Sequence, residues 1–365
     1  MIERLLIVHW NKQIGPEPII QYPPGAPFPP KSLLLKIWAK HEAKKEGSMI
    51  EFTPEDSENS FISIIQEFEN ETYFLILVYK QENIIKNNHL GKESPDILAI
   101  ISKNLVELIN TNKITRAISE AYTTIKNYSK LDEEENLKNF FQDKIKNTIL
   151  QILRNGVISK SDLTNKLRND YGFSTVNIDL ILISFIRENL IVKKNVPGSK
   201  ECYFLTNDLS CTRIPPKSLP VDKNDAILLR KYKNSLENFY FNYNIISDIE
   251  NRTIIQTVLL DKDVFSLIKT LREGRVSVND CLSILNNKQE LLNELLEKKF
   301  IFEAKGFVYL FSDVRFIKFK PYFIIERLME RYKNQDISLN EYLTHLKLLN
   351  EHKKSPTSID YEIVG

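Results

Sequence analysis

The side chains that could bind a metal ion or act as a nucleophile are few in this sequence, and they lie far apart. The histidines are His9, His41, His89, His345 and His352. None has a second ligand four residues away, so no helix is predicted to present the paired side chains of a metal site. The cysteines are Cys202, Cys211 and Cys281, and no Cys-x-x-Cys pair occurs. The sequence therefore predicts no metal centre and inert thiols in a cytoplasmic protein.

Glycine-rich motifs that bind phosphates are also missing from the sequence. The chain has only 10 glycines, and none belongs to a Gly-x-x-x-x-Gly-Lys-Ser/Thr or a Gly-x-Gly-x-x-Gly motif. The Gly-x-Ser-x-Gly motif of serine hydrolases does not occur either. We therefore expect a protein that is not an enzyme and that binds no cofactor.

Composition excludes further classes of protein. The 365 residues carry 50 basic and 48 acidic side chains, a net charge of +2. This balance argues against a strongly basic coat for nucleic acid and against an acidic disordered chain. No apolar run reaches the roughly 18 residues that a membrane span needs. The length is typical of two or three globular domains.

The first 130 residues predict an α+β domain with a five-stranded antiparallel sheet and helices on its faces. Strands are expected at residues 5–8, 19–22, 49–52, 61–68 and 72–79, with a hairpin turn at residues 69–71. Within the proline-rich stretch 16–30, only residues 19–22 are predicted to pair with another strand. Ser32 is predicted to cap a helix that runs to about residue 45, and helices are expected at 95–110 and 113–129.

This order of elements resembles a longin domain, and the Ile-Gly-Pro-Glu-Pro stretch at residues 14–18 is similar to the first hairpin of longin proteins of the nitrogen permease regulator type. The resemblance covers residues 1–130. It implies a scaffold or regulator that pairs with a small GTPase, or with another longin or roadblock protein, through the sheet edge and the first helix. The partner-binding residues that it suggests are Ser32, Lys36, Lys40, Lys80 and Lys86.

One activity of that family is not expected here. Its GTPase-activating role depends on an arginine from a loop of the longin domain, because a guanidinium neutralises charge on the transferred phosphoryl group. The loop at residues 80–94 offers Lys80, Lys86 and Lys92 but no arginine. The activating role is therefore not carried over to this chain.

Residues 131–210 and 262–315 each predict a winged-helix domain, which has three helices followed by a two-stranded hairpin, the wing. The acidic run 132–135 is predicted to be a solvated hinge or a helix start, before one helix from residue 137 to Asn155-Gly156. Ser159, Ser174 and Ser277 are predicted helix caps. Residues 211–261 form a connector whose aromatic segment 239–243 has no predicted place. A helical tail is expected at 316–353, and a disordered tail at 354–365.

Winged helices suggest a second function, a transcription regulator that binds DNA with its third helix. In the first copy, the candidate contacts to nucleic acid are Asn177 on the third helix and Lys193, Lys194 and Lys200 on the wing. The third helix of the second copy carries three glutamates, which would repel phosphates. The preferred hypothesis is therefore a non-enzymatic adaptor in a signalling or membrane-traffic assembly, with any association with membranes made through its partners. DNA binding is the alternative.

Overall fold

The structure is a computed structural model. It describes residues 2–44, 49–55, 57–80, 95–128, 133–173, 177–217, 225–245, 247–351 and 361–364. Its contacts divide the chain into two compact units. The first unit contains Met1–Asp132 and Thr175–Arg187, and the second contains Glu133–Ser174 and Glu188–Gly365.

The first unit is built on one antiparallel sheet of five strands in the order β2-β1-β5-β4-β3. Its strands are β1 (Ile2–Asn11), β2 (Gly15–Tyr22), β3 (Met49–Phe52), β4 (Asn59–Phe68) and β5 (Glu71–Lys80). Its helices are α1 (Lys31–Ala43), α2 (Pro95–Glu107), α3 (Ile114–Tyr128) and, from the later segment, α7 (Ile178–Arg187). The predicted mixed α/β fold with a five-stranded antiparallel sheet is confirmed.

Both faces of this sheet are covered, because both faces of its central strands are apolar. Leu34 and Ile37 of α1 pack on one face with Leu6, Phe74 and other apolar residues. Helices α2, α3 and α7 contribute apolar side chains to the core on the other face. Strands β4 and β5 lie inside the sheet, as their two apolar faces predicted.

Two local expectations for this unit are wrong. Strand β2 begins at Gly15, not at residue 19, so Pro16 and Pro18 lie within a paired strand. The prolines are tolerated because β2 is the edge of the sheet, where a missing N–H costs no ladder bond. Helix α1 begins at Lys31, and Pro30 occupies its N-cap position without a side-chain hydrogen bond, so Ser32 is not the cap. The Ser32 hydroxyl lies inside the first turn instead.

The predicted hairpin between β4 and β5 is confirmed. Glu69 and Asn70 form its turn with φ values of 52° and 65°, and Phe68 pairs with Glu71. Positive φ at both turn residues matches the right-handed twist of the two strands. The loop predicted at residues 80–94 lies outside the described residues after Lys80.

The second unit contains three small sheets, ten α-helices and one π-helix (Ile255–Leu259) among its described residues. Its first part contains α4 (Glu133–Gln142), α5 (Lys144–Leu153), β6 (Ile158–Ser159), α6 (Lys160–Asn169), β7 (Ile191–Val196), β8 (Ser199–Leu205) and β9 (Asp208–Ile214). The middle part contains α8 (Ala226–Tyr240), α9 (Asp248–Ile254), α10 (Lys262–Glu273), β10 (Val276–Ser277) and α11 (Val278–Ile284). The last part contains α12 (Gln289–Glu297), β11 (Ile301–Ala304), β12 (Phe307–Leu310), β13 (Asp313–Phe319), α13 (Ile324–Lys333), α14 (Leu339–Asn350) and β14 (Tyr361–Val364).

One arrangement occurs twice in the chain, and we call its copies the first repeat (residues 144–214, of which Thr175–Arg187 belong to the first unit) and the second repeat (residues 262–319). The hairpin strands and the short strand before them form sheets in the orders β6-β8-β7 and β10-β12-β11. In each repeat a serine caps the second helix by accepting a backbone N–H at 3.1 Å, Ser159 from Asp162 and Ser277 from Asp280. These two caps are as predicted.

An ion pair between a half-buried arginine and a buried aspartate also recurs in both repeats. It joins an arginine at the end of the first helix to an aspartate that begins the strand after the hairpin. Arg154 Nε lies 2.9 Å from Asp208 Oδ2, and Arg272 Nε lies 2.7 Å from Asp313 Oδ1. Each guanidinium also donates to the carbonyl of the residue after its aspartate, at 3.0 and 2.9 Å. The internal repeat therefore extends from the order of elements to individual side chains.

The strands that follow the two hairpins pair with each other. β9 and β13 are antiparallel, with Cys211 opposite Phe316, and β14 adds to the other edge of β13. The predicted disorder from residue 354 is therefore wrong for Tyr361–Val364, which form β14 and bury Val364. Residues 352–360 lie outside the described part of the chain.

The acidic run is a helix start and not a solvated hinge. Glu134 is 4% exposed and accepts hydrogen bonds from the Arg272 guanidinium at 2.6 and 2.8 Å. The single helix expected after it is two helices, because Asp143 caps α5 by accepting from Ile145 and Lys146 backbone N–H groups. A capping carboxylate starts a new helix at this point, and the apolar periodicity of the sequence alone does not show that boundary.

Candidate partner-binding surface

The outer face of α1 presents most of the residues that the sequence suggested for partner binding. Ser32, Lys36 and Lys40 are spaced by four residues, so they lie along one stripe of the helix, and all three are exposed. Leu35 lies beside this stripe and is 43% exposed. The opposite face of α1 buries Leu34, Ile37 and His41 against the sheet. The sheet thus fixes which face of the helix is available.

The turn between β1 and β2 lies against the start of α1 and adds a second exposed apolar residue. Ile14 is 53% exposed, and its carbonyl accepts a hydrogen bond from Lys31 Nζ at 2.5 Å. Gly15 has φ of +84°, and a Cβ there would lie 3.9 Å from a methyl carbon of Leu35. We define the α1 surface as Ile14, Ser32, Leu35, Lys36 and Lys40.

The other end of the α1 surface reaches the edge of the sheet. Lys40 Nζ lies 4.8 Å from the centre of the Phe52 ring, at the end of β3. β3 is an edge strand of four residues, so among the described residues one row of its backbone groups has no partner strand. The first helix and a sheet edge, through which the longin resemblance implies partner binding, are neighbours here.

The remaining two predicted contacts are not shown to belong to this surface. Lys80 is exposed at the end of β5, where it pairs with Asn59 across the sheet. Lys86 lies outside the described residues. Ile14 and Leu35 were not predicted as contacts. An apolar residue between lysines on the polar side of an amphipathic helix is the signal by which Leu35 could have been found.

The residue predicted to read DNA from the third helix of the first repeat is engaged within the first unit. Asn177 Nδ2 donates to Asn104 Oδ1 of α2 at 2.8 Å. Its own Oδ1 accepts the backbone N–H of Leu180 at 3.5 Å, at the start of α7. Leu180 and Ile183 of α7 are buried with the helices of that unit. The predicted cap Ser174 lies outside the described residues, and the helix begins at Ile178.

The three lysines predicted to contact DNA from the wing of the first repeat differ in what the structure shows of their side chains. Lys193 Nζ forms an ion pair with Glu201 at 2.6 Å, on the neighbouring strand. Lys194 is exposed on β7. Of Lys200 only the backbone is described, as part of β8. The structure therefore shows one wing lysine neutralised by an adjacent carboxylate.

Both predicted wings, the hairpins β7–β8 and β11–β12, are covered by other helices of the second unit. Leu328 of α13 and Leu348 of α14 pack on Val196 and Phe204 of the first wing. In the second wing, Tyr309 packs with residues of α8. The turns at the wing tips are hydrogen-bonded to the beginnings of these helices. Asn340 Nδ2 donates to Pro197 O at 3.2 Å, and Lys305 pairs with Asp225.

The titratable groups of the first unit do not form a catalytic arrangement among the described residues. His9 lies near the surface, where its ring nitrogens are 2.7 Å from Glu71 and 3.5 Å from Glu17. His41 is buried beside the Ser63 hydroxyl, and burial, with a smaller contribution from Lys44, lowers its pKa to about 4. Across the described residues, no three His, Cys, Asp or Glu side chains are grouped to hold a metal ion.

Comparison with known proteins adds no family. The sequence matches no protein-family model, and a search of curated proteins finds none that resembles it. The likeness to longin and winged-helix proteins therefore rests on the elements and residues given above. Within the part of the chain that the structure describes, no helix is both long enough and apolar enough to cross a bilayer.

Proposed function

We propose that this protein is a non-enzymatic adaptor or regulator that binds a small GTPase, or another longin or roadblock protein, through the α1 surface. In this proposal the first unit is a longin-like domain, and the two repeats are winged helices that serve as protein-contact modules. The observation that carries it is the exposed face of α1, which continues from the β1–β2 turn to the edge strand β3.

The chemistry of this face indicates what kind of surface would bind it. Ile14 and Leu35 supply apolar area that is costly to leave in water, since each such side chain contributes about 1.5–3 kcal/mol when fully buried. Lys36 and Lys40 flank that area and would pair with carboxylates. The partner should therefore present an apolar patch bordered by Asp or Glu, and it can add backbone hydrogen bonds along β3.

The contacts of the residues predicted to bind DNA support this choice over the alternative. Asn177 is hydrogen-bonded to Asn104, and Lys193 to Glu201, so neither side chain is poised for a base or a phosphate. Covered wings likewise suit internal packing better than insertion beside a duplex. In the proposed adaptor the winged helices accordingly contact protein and not DNA.

The proposal is tested by two variants of the full chain. One introduces acidic side chains on the α1 surface, and the other introduces an acidic side chain outside it. Leu35→Asp combined with Lys36→Glu changes that surface, while Lys113→Glu is a matched control, since Lys113 is exposed outside it. Each protein is used to capture partners from native lysate. Candidate GTPases identified there are then purified, loaded with GDP or a GTP analogue and titrated directly.

A GTPase, longin or roadblock protein should bind the natural chain and the Lys113 variant equally, and the α1 variant at least about 30-fold more weakly. That ratio corresponds to about 2 kcal/mol, the cost of losing one apolar anchor and reversing one charge. Recovery of nucleic acid alone would refute the proposal. So would a captured partner that binds both variants equally well.

A further inference from the structure

Helix α8 and its C-cap residue carry two large apolar side chains that are almost fully exposed to solvent. Ile227 is 85% exposed and Phe241, which continues the helix as its C-cap in α-helical conformation, is 87% exposed. Ile249, at the start of α9 eight residues later, is 77% exposed. The other exposed large apolar side chains among the described residues are 38–53% exposed. These three residues protrude from the second unit.

One face of α8 packs on the second repeat, so the exposed residues lie on the opposite, outer face of the helix. Its inner face buries Leu228, Tyr232 and Leu236 against the hairpin of the second repeat. Tyr232 also donates its hydroxyl to the carbonyl of Leu310 at 2.5 Å. Ile227 and Phe241 are 14 residues apart, close to four helical turns, so they lie on the same outer side about 21 Å from each other.

The charge of this helix is positive and is concentrated near Ile227. Arg230, Lys231 and Lys233 are exposed in the first half of α8, and Glu237 is the only acidic residue within Ala226–Tyr240. Three positive charges and one negative charge give the helix a net charge of +2. The surface at its N-terminal half would attract anions.

The spacing of these residues favours a lipid surface over a protein. The core of a protein interface is a contiguous apolar patch from which lysine is depleted. Here Lys231, Asn234 and Asn238 separate the two apolar residues on the outer face. Isolated bulky apolar side chains among basic residues suit the bilayer interface, where the former enter the acyl boundary and the latter face phosphate groups.

We propose that the outer face of α8 docks the second unit directly onto a membrane that contains anionic lipids. Ile227 and Phe241 are the two anchors, and Arg230 and Lys231 bind lipid phosphates between them. This contact does not involve the α1 surface, so it does not depend on the proposed adaptor function. It gives the chain its own attachment to membranes, independent of any protein partner.

The test is co-sedimentation of the full chain with two kinds of vesicle. One contains phosphatidylcholine alone, and the other contains about 30% phosphatidylserine, an anionic lipid. Binding should be strong only with phosphatidylserine and should weaken as salt rises. Ile227→Ser with Phe241→Ser should reduce the partition coefficient at least about tenfold, and Arg230→Ser with Lys231→Ser about tenfold.

Leu339→Ser with Leu343→Ser is the matched control, because these residues are exposed on α14, away from α8 in sequence. It should bind vesicles like the natural chain, and all variants should keep the natural unfolding midpoint because only exposed side chains change. Three results would overturn the proposal: no binding to either vesicle, equal loss in the control, or a protein partner that is lost with the α8 variant while vesicle binding is unchanged.

Discussion

The two repeats share their frame but differ in their third helix. Both have the arginine–aspartate pair, the serine cap and the three-stranded sheet. The third helix of the second repeat, α12, stays in the second unit, whereas α7 is grouped with the first unit. The two repeats therefore share the same polar contacts, although their third helices pack in different units.

The largest effect should come from breaking the arginine–aspartate pairs. Arg272 binds two buried carboxylates, Glu134 and Asp313, whereas Arg154 binds one, Asp208. When Arg272 is replaced by Met, Asp313 keeps Arg315 at 2.6 Å and Glu134 keeps Lys269 at 3.8 Å, whereas Arg154 is the cation paired with Asp208 among the described residues. Arg154→Met should therefore cost about 5 kcal/mol of unfolding free energy, because it leaves a buried carboxylate without its cation, and Arg272→Met about 3 kcal/mol. Urea unfolding at pH 7 measures both. Exposed Lys333→Met should change little, and an equal cost for the two arginines would contradict this comparison.

A second prediction is that damage to the two third helices, α7 and α12, destabilises different parts of the molecule. Ile183 of α7 and Leu295 of α12 are 1% and 0% exposed. Each alanine variant should lose about 4 kcal/mol locally, because a buried methyl-rich side chain is removed. Hydrogen exchange should show lost protection in α2 and β5 for Ile183→Ala, and in β11 and β12 for Leu295→Ala. Loss of protection in the same elements for both variants would refute the grouping of α7.

Acid should destabilise the helices that cover the first wing. His345 of α14 is buried against Phe204, and burial lowers its pKa to about 4. The unfolded chain binds the proton near pH 6.5, so stability is complete above that pH and falls as pH decreases towards 4. The loss should reach about 3 kcal/mol. His345→Gln should unfold in urea with less pH dependence between pH 7 and 4.5. An unchanged pH slope would contradict this account.

The smallest effect should distinguish two glycines at equivalent positions of the repeats. Gly156 has φ of +103°, and a Cβ there would lie 2.5 Å from Leu328 Cδ2 of α13. Gly274 meets nothing within 4 Å and has an extended φ. Gly156→Ala should therefore lower the unfolding free energy by about 2 kcal/mol, and Gly274→Ala should leave it nearly unchanged. Thermal unfolding of both variants is the check, and equal shifts would show that α13 does not restrict Gly156.

Much of the fold could be predicted because its signals are local. Strand alternation placed β4 and β5, and Ser159 and Ser277 marked helix starts that the structure confirms. Features that depend on distant residues could not be predicted. Glu134 looks solvated in sequence, yet Arg272, far along the chain, makes its burial possible. Strand β14 likewise needs the edge of β13.

The candidate site shows the same division. Ser32, Lys36 and Lys40 share one face of α1 because residues four apart on a helix lie on the same side, so their spacing alone predicts the stripe. The contribution of Ile14 depends on how the β1–β2 turn meets Lys31, which no local pattern encodes. Asn177 appeared available for DNA in sequence because its partner, Asn104, lies 73 residues away. Partner surfaces are predictable only where a single element forms them.

Site-specific photocrosslinking in cells compares the two proposed modes of binding most directly. A photoreactive amino acid would replace Lys36 on α1 or, in a second variant, Lys194 on the first wing, both of which are exposed. We predict protein adducts that contain a small GTPase, longin or roadblock protein at position 36, and no nucleic-acid adduct at position 194. Nucleic acid crosslinked at position 194, with no protein adduct at position 36, would contradict the account.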